Sequence, residues 1–178
     1  DQHVNVNGTT LENDGLMNVL DDADITLNPY HAVSTSFVNH GLLVFSGAGV
    51  TNDVNVAFTN DGTIEVQGAG STLRLQAGWT HDGTANLPAG VILRLNGGTV
   101  QTGANGRWTG TGTAIMEAGG GTFDGPLGFG GLYQITGGTW NLNADQVAVD
   151  MSMSGGTLAG TGVFSVTNVL SWTGGTMT

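Results

Sequence analysis

Apolar and polar side chains alternate along this chain in short runs. Thr63-Ile64-Glu65-Val66-Gln67 and Thr72-Leu73-Arg74-Leu75-Gln76 are the clearest, and Val54–Phe58, Val91–Leu95, Thr139–Asn143 and Val163–Thr167 follow the same rule. A period of two carried by β-branched, aliphatic and aromatic residues predicts half-buried strands. No window sustains an apolar stripe at i, i+3, i+4 and i+7 beyond about two turns of helix. Leu16 to Leu20 is the best helical candidate, but Asp21 and Asp22 would oppose the dipole at its C-terminal end. That segment is read as a strand or a short turn of helix. The alternation points Ile64, Val66, Leu73, Leu75, Leu93, Leu95, Leu142, Phe164 and Val166 to the interior.

Turns recur between these runs. Gly-Gly-Thr stands at Gly97-Gly98-Thr99, Gly120-Gly121-Thr122, Gly137-Gly138-Thr139, Gly155-Gly156-Thr157 and Gly174-Gly175-Thr176, in steps of 23, 17, 18 and 19 residues. The first half uses another form: an apolar residue, a spacer, a polar pair and glycine. It appears as Leu11-Glu12-Asn13-Asp14-Gly15, Phe37-Val38-Asn39-His40-Gly41, Phe58-Thr59-Asn60-Asp61-Gly62 and Trp79-Thr80-His81-Asp82-Gly83, in steps of 26, 21 and 21. Asn or Asp before glycine suits a corner, because both tolerate positive φ. A pulse of roughly 20 residues lies in the range of solenoid repeats. Equivalent corners stack in a solenoid, so the same turn chemistry returns once per coil. An antiparallel β-sandwich or jelly roll, the alternative all-β fold, has no such requirement. The expectation is therefore a parallel β-solenoid of about nine irregular coils, about 40 Å long at ~4.8 Å per coil.

Residues 1–178 read as a single solenoid domain, with a change of turn form near Asn96. The chain starts at Asp1 without Met and stops at Met177-Thr178, directly after a Gly-Gly-Thr. This reads as a segment of a longer repeat chain or a filament subunit, with the polar stretch Asp1 to Asn7 covering one end.

Composition narrows the class. Glycine is 32 of 178 residues, far above the usual ~7%. Only three prolines and a hydrophobic fraction of 39% argue against collagen, a Pro-rich linker and general disorder. Fourteen acidic residues against Arg74, Arg94 and Arg107, with no Lys, leave a net charge of −11. That balance excludes general affinity for nucleic acid or anionic membrane and suits an extracellular surface kept soluble by repulsion, or one that recruits cations. No apolar stretch is long enough for membrane insertion. The three Arg sit between apolar strand residues and are assigned outward positions. The absence of Cys leaves the redox compartment open.

Candidate chemistry is sparse. Asp21, Asp22 and Asp24 form the densest carboxylate cluster, a candidate Ca²⁺ site competing with a plain solvated turn. The Gly-Gly-x-Gly-x-Asp calcium repeat is missing. His3, His31, His40 and His81 show no metal spacing, and His40 and His81 are assigned to the surface of turns. Asp61 and Asp82 occupy equivalent corners, about 5 Å apart if stacked, which is the carboxylate separation of retaining glycosidases. Asp14 fills the same place two motifs before Asp61, so repetition makes these corners structural. No Gly-x-Ser-x-Gly elbow is present. The chain is expected not to be an enzyme and to need no cofactor, Ca²⁺ at the acidic turn being the exception. Trp79, Trp108, Trp140 and Trp172 would stack on sugar rings if exposed, and would pack the interior if not.

The phrases Phe58-Thr59-Asn60-Asp61-Gly62-Thr63-Ile64 and Ser154-Gly155-Gly156-Thr157-Leu158-Ala159-Gly160-Thr161-Gly162 resemble the repeats of large bacterial secreted surface proteins, of the filamentous-haemagglutinin and autotransporter-passenger type. The resemblance covers residues 37–178 and is one of repeat style. It implies a right-handed parallel β-helix in an extracellular or cell-surface adhesin or structural fibre, and carries no catalytic residues. Coil lengths of 17 to 26 are looser here than in the most regular members. The function expected is a non-enzymatic surface stalk or self-assembling filament unit. Its partners would be further copies, head-to-tail or lateral, and cell-surface glycans. A carbohydrate-binding or polysaccharide-degrading β-helix is the alternative.

Overall fold

The computed structural model describes residues 3–6, 9–27 and 35–178, with side chains for 9–26 and 35–178. Every strand pair is parallel and no helix is present among the described residues. The winding solenoid is thus confirmed over the antiparallel sandwich. The first face stacks His3–Val6, Asp24–Leu27, Thr51–Val54, Thr72–Leu75, the starts of Ile92–Thr102 and Thr113–Phe123, Leu132–Ile135, and the ends of Gln146–Met153 and Phe164–Trp172. The second face stacks Thr10–Asn13, Ser36–Asn39, Ala57–Asn60, Trp79–His81, the ends of Ile92–Thr102 and Thr113–Phe123, Thr139–Leu142, Thr157–Gly160 and Thr176–Met177. A third face runs from Leu16–Leu20 through Leu42–Ser46, Thr63–Val66 and Thr84–Asn86 to Arg107–Thr109. The stack is close to the nine coils that the spacing predicts. His3–Val6, within the expected Asp1 to Asn7 cap, is a strand of the first coil, and the rest of that stretch lies outside the described residues.

Interior residues stack in register. Val54, Leu75, Leu95, Met116, Ile135 and Met153 form one column, each directly above the last. Of the interior positions read from the alternation, all are buried except Phe164 and Val166. These two pack inward but belong to the last described coil, where the next layer does not cover them. Leu16–Leu20 is a strand, with Val19 inside and Leu16 and Leu20 exposed.

Glycine corners serve two purposes. In the Gly-Gly-Thr corners the second glycine is left-handed: Gly98 (φ 64°), Gly138 (78°), Gly156 (77°) and Gly175 (85°). The copy at Gly120-Gly121-Thr122 is out of register with the others. Thr99 pairs with Gly120, and Gly120 with Thr139, so Gly119 (φ 80°) takes the corner. The true steps, 98 to 119 to 138 to 156 to 175, are 21, 19, 18 and 19 residues, more even than the sequence motif indicated. Gly121 lies instead in an interior column between Val100 and Trp140, where a Cβ would crowd both.

The first-half corners correct the expectation of positive φ before glycine: Asp14, His40, Asp61 and Asp82 do not take it. Gly41, Gly62 and Gly83 have ordinary φ. They are needed because a Cβ on each would run into the backbone of the preceding coil, at the carbonyls of Gly15, Gly41 and Gly62. Those carbonyls accept the amides that bind coil to coil: Leu42 N to Gly15 O (2.7 Å), Thr63 N to Gly41 O (2.8 Å) and Thr84 N to Gly62 O (2.9 Å). Gly62→Ala is expected to cost about 1–3 kcal/mol by overpacking. Thermal unfolding of the variant checks this, and an unchanged midpoint would place the corner further from its neighbour.

Near Asn96 the turn form changes without a linker. Ile92–Thr102 pairs with the coils on both sides, with register shifts at Leu95/Asn96 and Asn96/Thr99.

Candidate functional site

The most organised polar constellation is inside the solenoid. In the first-half motif the apolar residue and the third residue are two apart in a strand, so both face inward. Phe37, Phe58 and Trp79 stack in one column, with Phe37 and Phe58 centroids 5.0 Å apart and nearly parallel. Beside it runs a column of Asn13, Asn39, Asn60 and His81, all buried. Asn13 Nδ2 donates to Asn39 Oδ1 at 2.6 Å, and Asn39 Nδ2 donates to Asn60 Oδ1 at 2.6 Å. Asn60 Nδ2 lies 3.1 Å from His81 Nδ1, and His81 Nε2 lies 3.2 Å from the Arg107 carbonyl oxygen. A carbonyl only accepts, so Nε2 carries the hydrogen and Nδ1 accepts from Asn60. The amides also hold their corners: Asn39 Nδ2 reaches the Gly41 and Thr63 carbonyls, and Asn60 Nδ2 the Gly62 carbonyl. The four buried side chains of this column are thereby hydrogen-bonded to one another and to the corners, as burial requires.

The assignment of His81 to the surface is therefore wrong: it has no exposure, and burial pulls its pKa down to about 4. His40 is at the surface as expected. Its Nδ1 lies 2.6 Å from Asp61 Oδ1, a hydrogen bond that raises the imidazole pKa. His3 lies in the first strand, and His31 falls outside the described residues.

The outer faces place the remaining candidates. Asp61 is engaged by His40 from the coil below, whereas Asp82 accepts from the Asn105 side chain and amide, both at 2.9 Å, in the coil above. Those bonds hold the Asp82 carboxyl below its ordinary pKa. Each carboxylate of the candidate glycosidase pair is thus tied to a separate partner. Arg74 and Arg94 face outward, as assigned: Arg74 grips Asp53 through Nε (2.7 Å) and Nη2 (2.5 Å), and Arg94 pairs with Glu117 at 2.6 Å. Arg107 turns its guanidinium to the Ala104 and Gly106 carbonyls.

At the acidic turn, Asp21 (φ 56°) and Asp22 are exposed, while Asp24 begins a strand. Asn52 Nδ2 donates to the Asp21 and Ala23 carbonyls at 2.6 and 3.0 Å, and Asp24 Oδ1 accepts from the Asp53 amide at 2.8 Å. Among the described residues no three His, Asp or Glu side chains gather where they could hold a metal ion.

Trp79, Trp108 and Trp140 are fully buried, so only Trp172, about half exposed, presents a ring to solvent. An outer sugar-stacking ladder is not formed. Shallow hollows lie among the described residues. One of about 290 Å³ opens over the last coil between Leu142, Leu158, Phe164 and Met177; another of about 360 Å³ lies on the second face along Ala57–Thr59 and Ala77–Thr80. Neither lining contains a titratable side chain. Sequence reasoning missed the Asn–His column, although the two-residue parity with Phe37, Phe58 and Trp79 was there to find it. No family model, no characterised protein and no solved structure matches this chain.

Proposed function

We propose that this chain is a non-enzymatic structural element of an extracellular surface protein, a stalk or filament unit of the filamentous-haemagglutinin and autotransporter-passenger kind. The observation that supports this reading is where the chain places its chemistry. Its ordered polar groups join one coil to the next: the Asn–His column inside, and the Asp53–Arg74, Arg94–Glu117, His40–Asp61 and Asp82–Asn105 links outside. Groups used in this way resist separation of coils along the axis, which is the work of a stalk. In such a protein, a coil above Phe164–Trp172, from the same chain or from another copy, would find parallel backbone partners and the inward side chains Phe164, Val166 and Met177.

The test combines sedimentation and electron microscopy over a concentration series with a polysaccharide panel. Concentration-dependent rods or fibres and an inert panel are expected. Polysaccharide cleavage that disappears in Asp61→Asn and Asp82→Asn would replace the structural reading with the degrading one. A monomer at every concentration would remove self-association.

A further inference from the structure

The Asn13–Asn39–Asn60–His81 column has a direction. Each amide donates upward, and the series ends on the lone pair of His81 Nδ1, while Nε2–H is committed to the Arg107 carbonyl. Both nitrogens of a protonated imidazole are donors. We propose that this column is a proton-sensitive latch: uptake of a proton at His81 Nδ1 sets a donor against the donating amide of Asn60, so that acid opens the coils around His81 while the C-terminal coils stay wound.

The surroundings of His81 give the incoming charge less compensation than its burial costs. Trp79 lies against the imidazole with centroids 4.3 Å apart. Thr102, the register partner in the coil above, is buried, and its hydroxyl has no hydrogen-bond partner. From the third face, Arg107 offers its carbonyl, and its guanidinium is turned to Ala104 and Gly106. The nearest carboxylate, Asp82, is exposed at the corner and held by Asn105. Asp61, next to Asn60 in the coil below, is paired with His40. Turning the Asn60 amide over to offer its oxygen would break its bond to the Gly62 carbonyl and face Asn39 Nδ2 with a second donor. One proton therefore conflicts with the whole series. Among the described residues, His81 is the one histidine, Asp or Glu in the buried set, so the effect is local to its coils.

The sign follows from linkage. The neutral imidazole is favoured by the fold, so the unfolded chain binds more protons below its ordinary pKa near 6.5. The stability contributed by His81 is complete above that pH and falls as pH drops through 6.5 toward about 4, while the raised pKa of His40 contributes in the opposite sense. The folding constant should fall about 10-fold per pH unit on that descent once well below 6.5.

The experiment compares the intact chain with His81→Asn, which continues the amide column with an acceptor that takes no proton. Chemical unfolding is measured from pH 7 to 5, above the range in which ordinary carboxylates protonate. Amide exchange is followed by mass spectrometry over residues 57–109 and 132–160. The chain is expected to lose stability in acid and to lose protection first over 57–109, and His81→Asn is expected to flatten the acid slope. An unchanged slope in the variant, or equal loss of protection in both regions, overturns the latch. If His81→Asn does not fold, imidazole ¹⁵N shifts of the unmodified chain decide: an Nε2–H neutral ring persisting below pH 5 supports the latch, and titration near 6.5 overturns it.

Discussion

Replacing Leu75 by Asp is expected to lower stability by about 5 kcal/mol or more, enough to unravel the coils that contain it. Leu75 is 2% exposed and lies in register between Val54 and Leu95, both buried. Removing the leucine alone forfeits about 2–5 kcal/mol of transfer and cavity energy. The carboxylate then faces a column with no cation: Arg74 and Arg94 point outward and are engaged by Asp53 and Glu117. A buried unpaired charge costs about 3–5 kcal/mol more, unless the Asp takes a proton and substitutes part of that cost with a raised pKa. The total compares with the whole stability of a typical domain, about 5–15 kcal/mol. At about 2–4 °C per kcal/mol for a chain of this size, the melting midpoint should drop by at least about 10 °C. Arg74→Ala, one residue away on the opposite face, is the control: its pair is partly exposed and should be worth about 1 kcal/mol or less. Similar midpoints for the two variants would mean that the strand parity at Thr72–Leu75 is inverted.

That contrast is also the measure of what the sequence made legible. Strand parity at Leu73, Leu75, Leu93 and Leu95 can be read from alternation alone, because a strand shows each face every second residue. The winding can be read as well, since only stacked corners explain one turn returning coil after coil. The register of those corners is harder. In Gly119-Gly120-Gly121 three glycines are adjacent, and only the strands above and below decide that Gly119 takes the left-handed position while Gly121 clears space for Trp140. His81 is assigned to the wrong side, and Asn13, Asn39 and Asn60 go unassigned, for a different reason. A polar residue before Asp-Gly matches a solvated corner by type, and its type outweighed its parity. The cost of burying an amide disappears only when the same amide recurs one coil away to receive its hydrogen bond, a condition visible once coils are aligned at 26 and 21 residues. The tryptophans escape any such rule. Their spacings of 29, 32 and 32 are not multiples of the coil: Trp79 stands between Phe58 and Val100, Trp108 over Ala85, and Trp140 between Gly121 and Leu158.

Trp108→Ala should produce the second large loss, about 3–5 kcal/mol, and should also divide the molecule in two. Trp108 has no exposure, and its ring is shared by both halves of the stack. Below it is Trp79, stacked at 6.0 Å; above it are Tyr133, stacked at 6.2 Å, and Phe123 and Phe129, edge-on at 5.7 and 6.2 Å. Its strand, Arg107–Thr109, is the last of the five-stranded third face, and the Trp108 amide continues upward to the Leu127 carbonyl at 2.8 Å, outside any strand pairing. The ring thus substitutes for a missing rung where the backbone ladder of one face is interrupted. In a stack whose stability is a sum of coils and nearest-neighbour interfaces, weakening one interface uncouples the blocks on either side. Calorimetry of Trp108→Ala should resolve two transitions where one is expected for the unmodified chain, with the coils of the Asn–His column and the Gly-Gly-Thr coils exchanging amides at different temperatures. Trp108→Phe should retain most of the coupling, because the indole Nε1 has no hydrogen-bond partner to lose and a smaller ring still reaches Tyr133 and Trp79. A loss below about 1 kcal/mol with one cooperative transition would show that the two faces paired continuously through Ile92–Thr102 and Thr113–Phe123 carry the coupling without the ring.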